Sequence, residues 1–247
     1  MSRVSAIIPA RMGSTRLPGK PLLDLGGKPI IQWVYERTAL AGCFEQVIVA
    51  TPDQEICQRV EDFGGKAILT SPDHRSGTDR LAEVCRNTDV GDVVVNVQGD
   101  EPLIEPSVIA ELARTLAEND SIPMASVMCP LDESDAISDP NLVKVVVDTK
   151  GFALYFSRSP IPYVRCAEGA SRTFGHVGMY GYRKDFLLKF AALAPTPLEM
   201  AESLEQLRVL ENGYRIKMIE AAARPVGVDT AEDLERVRGL VANKGVL

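Results

Sequence analysis

Short β-branched runs alternate with stretches of helical spacing along the first half of the chain. Val4 to Ile8, Gln46 to Ala50, Ala67 to Leu69 and Val93 to Val97 read as strands. Their nearly continuous apolar character predicts a mainly parallel sheet buried on both faces. Between them, Ile30, Trp33, Val34 and Arg37 mark one helix, and Ile56, Val60 and Phe63 a second. Leu81, Val84 and Cys85 mark a third, and Val108, Leu112 and Leu116 a fourth. Each is a stripe suited to covering a sheet, so these residues are read as core rather than as a cofactor box.

After Met124 to Val127 the regularity weakens. Strand-like runs recur at Val143 to Val147, Ala153 to Phe156 and Val177 to Tyr182, around a Pro-rich stretch at Ser159 to Val164 that reads as a substrate-facing insertion. Helical patterns return at Asp185 to Ala192 and Leu198 to Asn212, followed by a strand near Ile216 to Ile219. The last helix begins at Thr230-Ala-Glu-Asp233, the pattern of a capping box. No flexible linker, internal repeat or low-complexity tract interrupts the pattern, so residues 1–247 are expected to form a single α/β domain.

Composition narrows the function classes. With 27 Lys+Arg against 34 Asp+Glu the net charge is −7, and 45% of the residues are hydrophobic, proportions of an ordinary globular protein. The acidic balance speaks against a duplex nucleic-acid binder, which concentrates Lys and Arg on one face. Five cysteines, Cys43, Cys57, Cys85, Cys129 and Cys166, are odd in number and contain no C-x-x-C pair, so they are expected to be buried small hydrophobes in a reducing compartment. No apolar run approaches the roughly 20 residues of a membrane span, and no secretory leader pattern opens the chain. A cytoplasmic protein without membrane partners is expected.

Four segments could carry chemistry. The densest runs from Pro9 to Pro21 after the first strand, with Arg11, Arg16 and Lys20 among glycines. In open α/β sheets ligands bind beyond the carboxyl ends of the strands, where a Gly-rich turn and cations can hold a triphosphate. A Walker A loop is excluded by count: Gly13 and Gly19 enclose five residues, and Pro21 stands where a Ser or Thr is needed. No G-x-G-x-x-G occurs, which removes the dinucleotide fingerprint. On composition alone, a solvated basic loop remains open.

The second segment is the strand Val93 to Val97, which ends in Gln98-Gly-Asp-Glu101. An acidic residue at such a strand end suits Mg²⁺, which takes one or two protein carboxylates together with phosphate oxygens. Asp100 could equally be a turn or cap residue. The third, Ser76-Gly-Thr-Asp-Arg80, opens a helix and could read a base or bind an anion. The fourth, Gly227-Val-Asp-Thr230, places Asp229 where it competes with Thr230 as the helix cap. Of the two histidines, His74 reads as a turn residue, and His176 is as well explained by structure as by function.

Together these segments resemble the 3-deoxy-manno-octulosonate cytidylyltransferases, or CMP-Kdo synthetases, of the nucleotide-diphospho-sugar transferase fold. The matching segments are Ile8-Pro-Ala-Arg11, Ser14-Thr-Arg-Leu-Pro-Gly-Lys-Pro-Leu22, Ser76-Gly-Thr-Asp-Arg80, Asn96-Val-Gln-Gly-Asp-Glu-Pro102, Ala153-Leu-Tyr-Phe-Ser-Arg158, Tyr180-Gly-Tyr-Arg183, Leu204-Glu-Gln-Leu-Arg208 and Gly227-Val-Asp-Thr230. They span nearly the whole chain. Two departures stand out: the Pro162 to Gly175 segment is short and weakly matched, and Met12-Gly13 replaces a more usual aromatic-small pair.

The resemblance implies that CTP and the sugar acid Kdo react to give CMP-Kdo and pyrophosphate, for lipopolysaccharide synthesis. It implies a mainly parallel central sheet flanked by helices, with a smaller sugar-binding and dimerisation subregion. Residues 1–120 would mainly bind CTP, and residues 121–247 would mainly bind the sugar and form a homodimer. Lys20, Arg11 and Asp100 are the implied catalytic residues. The implied nucleotide contacts are Pro9, Ala10, Arg11, Ser14, Arg16, Lys20, Ser76, Gly77, Arg80 and Gln98. Gln98, Arg158, His176, Tyr180, Glu205 and Gln206 would meet the sugar, and Asp100 with Asp229 would hold Mg²⁺. Competing readings are a cytidylyltransferase for 8-amino-Kdo or sialic acid, a metal-dependent glycosyltransferase of similar fold, and a non-catalytic nucleotide sensor.

Overall fold

The computed structural model describes residues 2–132, 137–165 and 172–243. Its first half alternates β1 (Val4–Pro9), a hairpin of β2 (Asp24–Leu25) and β3 (Lys28–Pro29), α1 (Ile30–Leu40), β4 (Gln46–Thr51), α2 (Gln54–Asp62), β5 (Lys66–Leu69), α3 (Gly77–Asn87), β6 (Val93–Asn96) and α4 (Pro106–Ala117). The second half runs β7 (Met124–Pro130), β8 (Lys144–Val147), β9 (Ala153–Ser157), β10 (Phe174–Arg183), α5 (Lys184–Ala192), α6 (Pro197–Glu202), α7 (Leu207–Glu211), β11 (Ile216–Glu220) and α8 (Ala231–Asn243).

The central sheet has the order β11-β7-β10-β6-β1-β4-β5. β5, β4, β1 and β6 are mutually parallel, as are β7 and β11, while β10 runs antiparallel to both β6 and β7. The β8–β9 hairpin attaches to β10. Alternation along β1 divides the core: Val4, Ala6 and Ile8 face α1, α4 and α8, whereas Ile7 faces the α3 and α5 side with Leu81, Phe186 and Phe190. This period of two sets both layers of helices against one sheet.

β10 carries the irregularity that matters for the site. Its register against β7 shifts between Val177 and Tyr180, leaving Gly178 and Met179 in a bulge. Ser126 on β7 fills the gap, with its hydroxyl 2.9 Å from Met179 O and 2.9 Å from His176 Nε2. Bulges re-aim the groups around them.

Three expectations are corrected. The helix expected over Leu198 to Asn212 is two short helices, because Ser203 adopts a left-handed conformation (φ 52°) and ends α6. The Glu211 carboxylate then folds back to accept the Leu198 and Glu199 N–H groups. Cys43 is exposed, in the loop after α1, whereas Cys57, Cys85 and Cys129 are buried; Cys166 lies outside the described residues. The strand expected from Val177 begins earlier, at Phe174. At the last helix Thr230 provides the cap: its hydroxyl accepts the Asp233 N–H at 3.2 Å, and Asp233 accepts the Thr230 N–H in return. That leaves the Asp229 carboxylate free of capping work. Among the described residues no helix is long and apolar enough to cross a membrane.

Candidate active site

The carboxyl ends of β1 and β6 and the start of α3 surround a cleft of about 380 Å³. Every residue expected to bind the nucleotide lines it: Pro9, Ala10, Arg11, Ser14, Arg16, Lys20, Ser76, Gly77, Arg80 and Gln98, joined by Asp100 and Asp229. Local structure explains the cradle. Gly19 takes a left-handed conformation (φ 70°) that starts a tight 3-10 turn at Lys20, and Met12 O accepts the Ser14 and Gly19 N–H groups. Asp53, at the start of α2, accepts the Met12 N–H at 2.7 Å and ties the loop to the sheet. Opposite, a Cβ on Gly99 would lie 2.8 Å from Pro9 O, so only glycine lets the β1 and β6 loops approach this closely.

The cations are held differently. Lys20 is largely buried; its ammonium donates to Asp100 Oδ2 at 2.6 Å and to Asp229 Oδ1 at 3.0 Å. Burial alone would lower its pKa, but the two carboxylates outweigh it and hold the ammonium above the usual lysine value. Arg16 Nη2 lies 3.0 Å from Asp229 Oδ2. The buried Arg80 guanidinium donates to the Thr70 hydroxyl and to Ser71 O. Burial first, then the charge of Arg11, lowers its pKa: two guanidinium groups crowd the cleft in a way an anion would relieve. Ser76 caps α3 through the Asp79 N–H, so it has a structural task beside any nucleotide contact.

The residues expected at the sugar fall into two places. His176, Tyr180, Gln206 and Glu205 form a connected group. The His176 and Tyr180 rings are 5.5 Å apart, and the Tyr180 hydroxyl donates to Gln206 Oε1 at 3.2 Å. Gln206 Nε2 is a buried donor without a hydrogen-bond partner among the described residues. Glu205 accepts from the Thr78 hydroxyl at 2.8 Å, which joins this group to the first turn of α3 beside the cleft, and burial raises its pKa. Burial drives His176 down to about 3, so the ring is neutral. Gln98 bridges the two regions by donating to Gly178 O of the bulge at 2.7 Å. Arg158 stands apart: its guanidinium donates to Glu202 O (2.7 Å), Pro140 O (2.8 Å) and Ser203 O (3.3 Å).

A second, smaller cleft of about 150 Å³ shares Asp100 and Asp229 with the first and is lined also by Glu101, His176 and Arg224. Burial, reinforced by Asp100, pushes the Glu101 carboxyl up to about 8, and its Oε2 is buried without a hydrogen-bond partner among the described residues. Residue-by-residue reading gave no role to Arg224 and Asp53, and named Glu101 and Thr78 only as members of the strand-end and helix-opening segments. No local pattern marks Arg224 or Asp53.

A cationic strand-end cradle facing paired carboxylates, with a polar pocket beside it, defines a nucleotidyltransferase-type site. The cytidylyltransferase family model matches residues 5–218. The 3-deoxy-manno-octulosonate cytidylyltransferase of Geotalea uraniireducens is 54% identical, covering 95% of this chain and 97% of that protein. That of Geobacter sulfurreducens is 51% identical, again over 95% and 97%. A solved structure of CMP:2-keto-3-deoxy-manno-octonic acid synthetase complexed with CTP matches with a TM-score of 0.95 at 48% identity, covering 98% of this chain and all of that one. The chain belongs to the cytidylyltransferase family, in its 3-deoxy-manno-octulosonate cytidylyltransferase branch.

Proposed function

We propose that the protein activates Kdo with CTP, giving CMP-Kdo and pyrophosphate. The observation that carries this reading is the Lys20 ammonium, held between Asp100 and Asp229 where the nucleotide cleft meets the smaller one. A triphosphate in the cradle formed by Arg11 and Arg16 would bring its α-phosphorus to that point. The Kdo hydroxyl would approach from the side of His176, Tyr180 and Gln206, in line with the departing pyrophosphate. Lys20 would neutralise charge that develops on the α-phosphate, and Arg11 and Arg16 the charge on the leaving group. Ser76, Gly77 and Arg80 would meet the cytosine. The neutral His176 ring and Gln206 Nε2, which has no hydrogen-bond partner among the described residues, suit a polyol, whose hydroxyls need both donors and acceptors.

Asp100 and Asp229 present oxygen donors only, and two carboxylates match the number Mg²⁺ takes from protein when phosphates and water complete its shell. They would hold Mg²⁺, which supplies charge neutralisation and lowers the pKa of the attacking hydroxyl. Residues 1–120 would serve chiefly the nucleotide, with Asp229 contributed from the remainder. Leu154 (61% exposed), Met200 (64%) and Tyr163 (89%) leave apolar surface around β9, which supports a homodimer through this region. A cytoplasmic location fits an enzyme that consumes CTP.

The test is pyrophosphate release from CTP and Mg²⁺ with Kdo, 8-amino-Kdo, sialic acid or no sugar. Release that depends on Kdo is expected. Release with another sugar acid alone, or with none, would overturn the assignment, and a light-scattering mass of 26.8 kDa at micromolar concentration would overturn the dimer.

A further inference from the structure

We propose that Glu202 is a positioning residue for the sugar-acid pocket, setting Arg158 in register with Glu205 and Gln206 and keeping its guanidinium parked on carbonyl oxygens until an anionic sugar arrives. The inference rests on the functional reading above and adds a residue to it. Arg158 immediately follows β9, whereas Glu205 and Gln206 follow α6, and the sequence separates them by more than 40 positions. Glu202 joins the two elements. One carboxylate oxygen accepts the Ser157 hydroxyl at 2.7 Å and the other the Arg158 backbone N–H at 2.9 Å, while its own carbonyl accepts Arg158 Nε at 2.7 Å. From the opposite side, the fully buried Lys144 donates its ammonium to Arg158 O and to Asp139 O.

The backbone of Arg158 is thereby fixed at both its N–H and its carbonyl. Its guanidinium is held less firmly. Its hydrogen-bond acceptors among the described residues, on Pro140, Glu202 and Ser203, are neutral main-chain oxygens, with the Glu202 carboxylate acting on it only through space. A sugar carboxylate offers a planar, charged, bidentate acceptor, roughly twice as strong per hydrogen bond as a neutral one. Exchange therefore favours the substrate without any movement of the Arg158 backbone. Immediately after Glu202, Ser203 turns left-handed and delivers the buried Leu204 and Gln206 beneath Tyr180. One carboxylate thus registers both groups of candidate sugar residues.

Glu202→Gln keeps the size of the side chain while weakening its grip on the Arg158 N–H and the Ser157 hydroxyl. The expected result is a KM for Kdo raised about 10-fold, since hydrogen bonds to charged groups are worth more than ordinary ones. The calorimetric CTP affinity should stay within twofold and kcat at saturating Kdo should change little. An unchanged Kdo KM would overturn the proposal. So would a fall in CTP affinity and kcat together, which would make Glu202 only a structural brace. If Glu202→Gln does not fold, Ser157→Ala decides: it removes one of the bonds and should raise the Kdo KM about threefold, and no selective rise overturns the proposal. Wild-type protein without Kdo-dependent pyrophosphate release would instead sink the functional reading itself.

Discussion

The ammonium of Lys20 and the Asp100 carboxylate meet at 2.6 Å across the mouth of the cleft, although Lys20 comes from the loop after β1 and Asp100 from the end of β6. With Asp229 at 3.0 Å on the other side, the cation is shared between two anions. Losing either one leaves the lysine paired with the other, so the fold should tolerate the loss while the chemistry should not. Asp100→Asn or Asp229→Asn is expected to reduce turnover by about 10²-fold or more, with little change in melting temperature, because the charge neutralised in the transition state exceeds that of the resting pair. Pyrophosphate release at limiting Mg²⁺ checks this. Near-full activity in either variant removes that aspartate from the proposed Mg²⁺ site.

Asp53 never faces the substrate, yet it holds the cradle through the Met12 N–H at 2.7 Å. Asp53→Ala should therefore raise the KM for CTP by about 10-fold, the range of one hydrogen bond to a charged acceptor, and leave the KM for Kdo unmoved. Asp53→Asn, which keeps an acceptor oxygen, should recover most of the loss. Steady-state titration of each substrate distinguishes the outcomes.

A methyl group at Gly99 would lie 2.8 Å from Pro9 O, a backbone atom that cannot swing aside. Gly99→Ala is expected to cost about 1–3 kcal/mol, as overpacking does. For a chain of this length that lowers the melting temperature by roughly 2–4 °C per kcal/mol. CTP affinity should fall with it, because the two loops that part are the walls of the cleft. An unchanged melting curve would contradict the close approach.

His176 is expected to make the protein acid-sensitive. Its folded pKa is depressed to about 3 by burial, against an unfolded value of 6.5. Between these values the unfolded chain binds a proton that the folded chain refuses. Stability contributed by the neutral ring is complete above pH 6.5 and falls as pH drops toward 3, by up to about 1.4 kcal/mol per pH unit. His176→Asn should flatten that slope when denaturant midpoints are compared at pH 7, 6 and 5. Parallel slopes would show that the imidazole does not carry the effect.

Much of the sheet was legible because its strands are buried on both faces. Val93 to Val95 are apolar without alternation, and the β1 pattern repeats in β4. The basic loop that lines the cleft was legible because its residues are local: three cations and the glycines lie within a dozen positions of one another. What escaped is what depends on tertiary encounter. The break at Ser203 has no glycine or proline at the residue itself, and it arises because Glu211 and Arg208 fold back onto α6. Asp229 could not be separated from Thr230 by spacing alone. Only the structure assigns the cap to the hydroxyl and the ion pair to the carboxylate.

The ion pair between Lys20 and Asp229 joins positions 209 residues apart. A chain emerging from the ribosome presents the whole basic loop early, with Asp100 to follow, yet the second anion arrives only after every strand from β1 to β11 has been made. Closure entropy makes such a distant contact late to form in refolding as well. A chain stopped before Asp229 would carry the cationic cradle with half of its counterweight missing. Binding without turnover is the expected signature of such an unfinished molecule, and competence arrives with the turn that leads into α8.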